Sequence, residues 1–238
     1  MALSLAQRHQ RRVLAAQEAA AASPLTSMEG ATAYELQLAQ LLQDRLRLKQ
    51  VQSNQGKAEL KAQLLPAYIP YVQGVLEAGK GAQDEVLTTI MVWRIDAGDF
   101  AGALEIATYV LEHKMIMPDR FERSTGCLIA EEIAEAALKT QKAGTGFELP
   151  VLLLADQVTE GEDMPDQARA KLHLALGKAF AADVPDDVPT EDNLAALINL
   201  DSAKKHLTRA IELNSNCGGK KDLERVERLL KKHTAPGS

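Results

Sequence analysis

The sequence predicts an all-α protein, organised as a helical bundle or an array of helix hairpins. Hydrophobic residues make up 46% of the 238 residues but aromatic residues only 4%. Ala and Leu, both strong helix formers, dominate. No run alternates apolar and polar residues with a period of two between turn residues, so strand signals are nearly absent. Apolar residues instead recur at the spacing of one helix face. A chain of this length suffices for one sizeable core or two small ones.

The first predicted helix covers residues 4–22, with Ser4 as its N-cap. A breaker segment, SPLTSMEGAT, follows and is interpreted as a linker. Thr32 is expected to cap a long second helix that reaches about residue 53 and carries leucines along one face. Arg45 interrupts this leucine seam, so the heptad pattern of a coiled coil is weak.

A short helix is expected at about 57–65, and PAYIPYVQGVLEAGKGA is expected to form the next one. One helix then follows a cap at Asp84, and its partner follows a break at Gly98-Asp99. The remaining helices are expected at about 126–142, 148–159, 166–182, 191–213 and 219–232. The pair on either side of the Gly98 break is partly tetratricopeptide-like, because the small residues Ala103 and Ala107 recur on its second helix. A second partial match, DSAKKHLTRAIELNSN, lies about 100 residues further on. A solenoid needs about three adjacent repeats. The small residues are therefore interpreted as sites of close helix packing.

Two basic ends flank an acidic middle. Residues 1–65 carry 8 Lys and Arg against 5 Asp and Glu, and residues 202–238 carry 9 against 4. Basic ends favour a nucleic-acid contact, although ordinary surface variation explains charges of this size equally well. No apolar run approaches the 18 residues or so of a membrane span, and the N-terminus lacks the apolar segment of a secretory signal. With only two cysteines, an intracellular, reducing setting is expected.

The N-terminal helix carries the best candidate for a DNA contact. Arg8, Arg11 and Arg12 are spaced i, i+3 and i+4, so they share one face, which could span the phosphates of a duplex. His9 lies beside them, and Gln7 is the candidate for reading a base edge. The alternative is a solvated amphipathic helix.

A second basic segment begins with Lys220 and Lys221 on the last predicted helix. The acidic residues Asp222, Glu224 and Glu227 are interleaved with its cations, which favours a salt-bridged surface. The two lysines remain candidates for a DNA contact.

No catalytic residue, metal site or cofactor is predicted. Residues 112–114 (EHK), preceded by Asp99, and residues 59–61 (ELK) spell part of a nuclease signature. The acidic residues of that signature normally lie on adjacent strands, whereas both fragments here fall in helices, so chance is the favoured explanation. Glu131 and Glu135 have the spacing of a solvated helix face. The five histidines form no His-x-x-x-His pair and have no cysteine at zinc spacing.

Four segments resemble the small terminase subunits of cos-packaging tailed phages. They are LAQRHQRRVLAA, ATAYELQLAQL, the block LLPAYIPYVQGVLEAGKGAQDEVLTTIMVWRIDAGDFAGALEIATYVLEHKMIMP, and DMPDQARAKLHLALG. The likeness runs from about residue 5 to 230. It implies a subunit that binds the packaging (cos) site on double-stranded viral DNA in the host cell cytoplasm. It further implies a ring-shaped homo-oligomer and recruitment of the large subunit, which supplies ATPase and motor activity.

The resemblance also suggests a division of roles along the chain. Residues 1–30 would form a DNA-binding arm, residues 31–145 an oligomerisation core, and residues 146–238 hairpins that could contact the large subunit. Some relatives end in a long Lys- and Arg-rich tail, whereas this chain ends at KKHTAPGS. That difference moves the expected DNA contact towards the N-terminal arginines.

Two other functions stay open. Members of this family are often labelled the endonuclease subunit, so one alternative is an enzyme that itself cuts the packaging site. The other alternative is a helical adaptor that binds only protein.

Overall fold

The computed structural model describes residues 3–23, 27–118, 123–182, 184 and 193–234. Within these ranges the structure is helical, and an isolated bridge between Ser27 and Gln83 is the only β-type pairing. The predicted all-α class is confirmed. The chain divides into two compact units, unit 1 (Met1–Thr125) and unit 2 (Gly126–Ser238). None of the described helices is long and apolar enough to cross a membrane.

Unit 1 is built from helices and one 3₁₀ turn. In chain order these are α1 (Leu5–Ala21), α2 (Thr32–Lys49), α3 (Asn54–Leu64), the 3₁₀ turn (Leu65–Ala67), α4 (Ile69–Ala78), α5 (Glu85–Asp96) and α6 (Phe100–Glu112). The bounds follow the predicted ones closely, except that α2 ends four residues before the expected residue 53 and α3 begins three residues before the expected residue 57. Helices α5 and α6 form the predicted hairpin, and the expected apolar face of α6 is buried.

Helix α1 crosses α4 with its backbone in close contact. Gly74 of α4 lies directly under the α1 backbone, where a Cβ atom would be 2.3 Å from the carbonyl oxygen of Arg12 and 2.8 Å from Cβ of Ala15. Ala15 and Ala19 are the buried residues of α1. Small residues on both helices therefore let the two backbones meet, as the sequence predicted for other helix pairs.

The N-terminus of α2 is capped by another helix. Ala31 occupies the N-cap position and makes no side-chain cap bond. The carboxylate of Glu18 in α1 instead accepts a hydrogen bond from the backbone N–H of Ala33 at 2.8 Å. The prediction that Thr32 caps α2 was wrong, because a carboxylate from the neighbouring helix already occupies the helix N-terminus, where negative charge is favourable.

A buried carboxyl group holds the start of α5. Asp84 is the predicted N-cap, and it accepts a hydrogen bond from the backbone N–H of Leu87 at 2.8 Å. Its other oxygen accepts the hydroxyl of Tyr71 in α4 at 2.6 Å. The side chain is fully buried, and this burial raises the pKa of Asp84 to about 6.

Unit 2 contains the remaining described helices. They are α7 (Thr125–Lys142), α8 (Leu149–Thr159), α9 (Asp166–Ala182), α10 (Asn193–Leu213) and α11 (Lys220–Thr234). The apolar segment LPVLLLADQV is helical in α8, as predicted. The predicted start of α10 at residue 191 lies outside the described residues. Helix α9 packs against both α8 and α10, and α10 packs in turn against α11.

Two contacts between helices of unit 2 were not predicted. Lys171 of α9 donates to Glu131 and to Glu135 of α7, each at 2.6 Å. The interpretation as a solvated face therefore holds for Glu135, whose side chain is 53% exposed, but not for Glu131, whose side chain is 14% exposed. Gly177 of α9 lies against α10, where a Cβ atom would be 2.6 Å from Cγ of Leu207. This second glycine crossing brings α9 and α10 into close contact.

We expect Gly74→Ala to lower the free energy of unfolding of unit 1 by about 1–2 kcal/mol, because the added methyl group forces α1 off α4. Alanine stabilises a helix relative to glycine by about 1 kcal/mol, so a net loss of stability would be due to crowding at the helix crossing. The fluorescence of Trp93, the single tryptophan, follows urea unfolding of unit 1, since its side chain is buried. Gly146→Ala is the control, because a Cβ atom there meets nothing within 4 Å. Equal stability of wild type and Gly74→Ala would contradict the crossing.

We expect Asp84→Asn to change how stability depends on pH. The folded-state pKa of about 6 lies above the ordinary value of 3.8. The native state therefore binds more protons than the unfolded state between these values, and wild-type stability falls as pH rises from about 4 to about 6. Asparagine keeps a capping oxygen but does not titrate. The stability of Asp84→Asn relative to wild type should rise by up to about 3 kcal/mol across this window. Urea unfolding at a series of pH values tests this, and parallel curves would contradict it.

Candidate nucleic-acid interface

The first turn of α1 fixes the residues that begin the predicted DNA contact. Ser4 is the N-cap, as predicted, and its hydroxyl accepts a hydrogen bond from the backbone N–H of Gln7 at 3.2 Å. The side-chain oxygen of Gln7 accepts in return from the backbone N–H of Ser4 at 2.9 Å. This capping box uses the amide oxygen that base reading by Gln7 would need.

Three of the predicted residues line one groove. Arg8, His9 and Arg12 stand on one side of a groove of about 340 Å³, and residues of the 3₁₀ turn and α4 form the other. The lining residues from that second side are Pro66, Ile69, Pro70 and Gln73. The groove exists because α1 lies so close to α4. Gln73 is a polar lining residue that the sequence analysis missed, since only the helix crossing brings it beside the arginines.

The three arginines differ in their surroundings. The guanidinium of Arg8 is exposed, and its Nε donates to the carbonyl of Leu3 at 3.2 Å. Arg12 is partly buried, 3.8 Å from the carboxylate of Glu77, and its buried Nε has no hydrogen-bond partner. Arg11 is partly buried and does not line the groove. Two arginines and one imidazole therefore face a common space, and the third arginine extends the basic surface of α1.

The second predicted basic segment begins α11 in unit 2. Lys220 and Lys221 are exposed in its first turn. Two of the interleaved acidic residues bind lysines of other helices. Asp222 pairs with Lys178 of α9 at 2.6 Å. The second pair joins Glu227 to Lys204 of α10 at 3.3 Å. The acidic residues of α11 thus hold the helix in place, and the two lysines extend from its start.

Two residues of the nuclease-like pattern, Asp99 and His113, have structural roles in unit 1. Asp99 caps α6 through the backbone N–H of Gly102 and pairs with Arg94 at 2.8 Å. His113 packs on Tyr109 and against Gly81. Gly81 lies in the loop between α4 and α5 and has a positive φ angle of 70°. Neither Glu59 nor Glu112 belongs to a group of three potential metal ligands in the part of the chain that the structure describes.

One cluster of potential ligands was missed by the sequence analysis. Asp156 of α8, His173 of α9 and His206 of α10 lie together in unit 2. The two Nδ1 atoms are 3.0 Å apart, and Nδ1 of His173 is 4.0 Å from the carboxylate of Asp156. The three residues are far apart in sequence and lie on separate helices. No local spacing could have revealed them.

Burial keeps both imidazoles of this cluster neutral. It lowers the pKa of His173 to about 4, and the neighbouring imidazole of His206 acts in the same direction, against the carboxylate of Asp156. Burial also lowers the pKa of His206. At neutral pH one Nδ1 can donate to the other, and the carboxylate beside them is the only formal charge in the cluster.

Comparison with known proteins identifies the class of protein. A profile of the family described as phage small terminase subunit matches residues 38–167, more than half of the chain. The chain therefore belongs to the phage small terminase subunit family, whose members act in the packaging of viral DNA. This confirms the family that the sequence segments resemble.

Two curated phage proteins are similar to the chain. The "Terminase, endonuclease subunit" of Escherichia phage P2 is 42% identical over 234 residues, which cover 98% of this chain and 88% of that protein. The "Probable terminase, endonuclease subunit" of Haemophilus phage HP1 is 26% identical over 161 residues, which cover 68% and 57%. No solved structure matches the chain.

Proposed function

We propose that the chain binds double-stranded viral DNA at the packaging site through α1 and brings the large terminase subunit to it, in the host cell cytoplasm. The observation that carries this proposal is the groove in which Arg8, His9 and Arg12 converge. Arginine presents a fork of donors that matches phosphate oxygens. Membership of a DNA-packaging family supports duplex DNA as the source of those phosphates.

The geometry favours phosphate contacts over reading of base sequence by α1. The side-chain oxygen of Gln7 is bonded to the backbone of Ser4, so Gln7 offers only its NH₂ group. Bidentate recognition of adenine needs both the oxygen and the nitrogen of such an amide. We therefore infer that α1 positions the protein on the DNA backbone. Lys220 and Lys221 are a second, weaker phosphate contact in this proposal.

Self-assembly would supply the affinity that three arginines lack. Several weak contacts in one assembly bind DNA far more tightly than one, provided that they engage together. We propose a ring-shaped homo-oligomer in which α2 meets a neighbouring copy. Leu36, Leu42 and Leu46 of α2 are 63%, 50% and 53% exposed, and burial against a second copy removes this apolar surface from water.

The C-terminal part of the chain is proposed to serve a different partner. Residues 146–238 include α8 to α11, in which hairpins are tied by pairs such as Lys178 with Asp222. We propose this region as the contact for the large subunit, which supplies the ATPase and nuclease activities. We propose residues 1–30, in which α1 is packed onto unit 1, as the DNA-binding segment and residues 31–145 as the oligomerisation core.

A second candidate function is cleavage of the packaging site by the chain itself. The names of both relatives describe them as terminase endonuclease subunits. The observation that favours it is the cluster of Asp156, His173 and His206, since nucleases commonly use metal ions held by such residues. The fragments at residues 59–61 and 112–114 give it no support, because their glutamates stand outside that cluster.

The arginine contact predicts a specific change in salt dependence. For the double variant Arg8→Ala with Arg12→Ala, we expect the affinity for packaging-site DNA to fall about tenfold or more at fixed salt. Because two phosphate contacts are lost, the magnitude of the slope of log K against log salt concentration should decrease by nearly two. Gel shifts over a salt series measure both quantities. Lys139→Ala with Lys142→Ala removes the same charge from exposed sites in unit 2 and is expected to change little.

Unchanged binding of the arginine variant would overturn the assignment of α1, and a larger loss in the Lys139 and Lys142 variant would move the contact to unit 2. When the wild-type chain is mixed with the same DNA and magnesium, without the large subunit, we expect the DNA to stay intact. Cleavage would instead favour the second candidate function.

The proposed ring predicts a multiple of the 25.8 kDa chain mass in solution. We expect Leu42→Gln with Leu46→Gln to lower the mass measured by light scattering, because the apolar surface of α2 no longer favours association. Leu194→Gln with Ile198→Gln is the matched control, since these residues of α10 are 74% and 58% exposed. A wild-type monomer would contradict the ring, and dissociation of the control variant alone would place the interface in unit 2.

A further inference from the structure

The cluster in unit 2 has the composition of a transition-metal site. Two imidazoles and one carboxylate supply three potential ligand atoms that all lie within 4.8 Å of one another. Imidazole and carboxylate are the ligands of many zinc sites.

The distances in the cluster are close to those of a metal site. In a tetrahedral zinc site with Zn–N bonds of about 2.0–2.1 Å, neighbouring ligand atoms are about 3.3 Å apart. The two Nδ1 atoms are 3.0 Å apart, within a few tenths of an ångström of that separation. The oxygen of Asp156 is 4.0 Å from Nδ1 of His173, so a small rotation of one aspartate side chain completes the set.

Packing between helices holds the two imidazoles in this arrangement. The ring of His206 stacks on Phe180, with centroids 5.7 Å apart and planes at 16°. Gly177 lies one helical turn after His173 and contacts Leu207, the residue that follows His206. The close approach of α9 and α10 at this glycine therefore sets the separation of the two Nδ1 atoms. Ligands that are already in place lose little conformational entropy on binding.

The cluster opens onto a groove that can admit an ion and a water molecule. This groove, of about 770 Å³, is lined by both acidic and basic residues. The acidic lining residues are Asp156, Glu160, Asp201 and Glu212, and the basic ones are Arg169, Lys204, Lys205 and Arg209. Arg169 is bound to the carbonyls of Thr159 and Glu162, and Arg209 pairs with Glu212. Both guanidiniums still act electrostatically on His173, in the direction opposite to the carboxylate of Asp156.

We propose that Asp156, His173 and His206 bind one divalent transition-metal ion, with a fourth coordination position open to the groove. Three protein ligands and an open position are typical of metal sites that bind water or a further ligand. The site lies within unit 2 and does not depend on DNA binding by α1. The proposal can therefore fail or succeed separately from the proposed DNA contact, whereas the second candidate function, cleavage by the chain itself, rests on the same cluster.

The test uses the full chain, freed of metal by a chelator and then titrated with Zn²⁺ by calorimetry. We expect one ion per chain in the wild type. His173→Gln and His206→Gln are expected to weaken Zn²⁺ binding by about a hundredfold, and Asp156→Asn by about tenfold. His9→Gln removes an exposed histidine of unit 1, and Cys217→Ser removes the partly exposed thiol of unit 2. Both control variants are expected to bind as the wild type does.

A second measurement covers variants that fail to fold. The absorption spectrum of the wild-type chain with Co²⁺ should show the bands of tetrahedral coordination without the thiolate charge-transfer band that cysteine ligands produce. Circular dichroism reports whether each variant is folded. Absence of one-to-one Zn²⁺ binding, equal binding by the folded His206→Gln variant, or a thiolate band would each overturn the proposal.

Discussion

Unit 1 depends on a crossing that leaves no space for a side chain between two helices. Gly74 lies against the backbone of α1 at Arg12, and any larger residue there would push the helix away. From this position Glu18 reaches the N-terminus of α2, and Arg12 comes within 3.8 Å of Glu77 in α4. The residue without a side chain thus determines where the arginines of α1 stand.

This constraint changes the meaning of the N-terminal segment. The sequence predicts residues 1–30 to be a DNA-binding arm, and within this segment the structure packs α1 onto the helices of unit 1. A packed helix offers its basic side chains from a fixed place, next to Pro66 and Gln73 across the groove. Fixed side chains lose less entropy on binding DNA than a free arm would. In the proposed ring, each copy would present the same arginines at a regular spacing.

A glycine crossing has a comparable consequence in unit 2. Gly177 lets α10 approach α9, and His173 and His206 face each other one turn away from this contact. In both units the smallest residue creates the close contact, and polar residues beside it gain partners from another helix. The proposed metal site is therefore a product of helix packing, as is the groove beside α1.

Local signals predicted the helices well, because caps and periodicity act within a few residues. Ser4, Asp84 and Asp99 each stand at a helix start that the sequence indicated. Contacts between helices were harder to predict, since they depend on which faces meet. Glu18 therefore replaced Thr32 as the cap of α2, and Lys171 joined two glutamates of α7. The arginine side of the candidate interface followed from spacing on one helix. The α4 side and the histidine cluster required the fold.

In the proposed function, α1, fixed on unit 1, is the surface that meets DNA. Photo-crosslinking tests it without removing an arginine, by placing p-benzoylphenylalanine at Leu5, which is 84% exposed and one turn before Arg8. The matched control is the same substitution at Leu194 in α10, which is 74% exposed. The account predicts crosslinks to packaging-site DNA from position 5 and few from position 194. Crosslinks from position 194 with none from position 5 would contradict it.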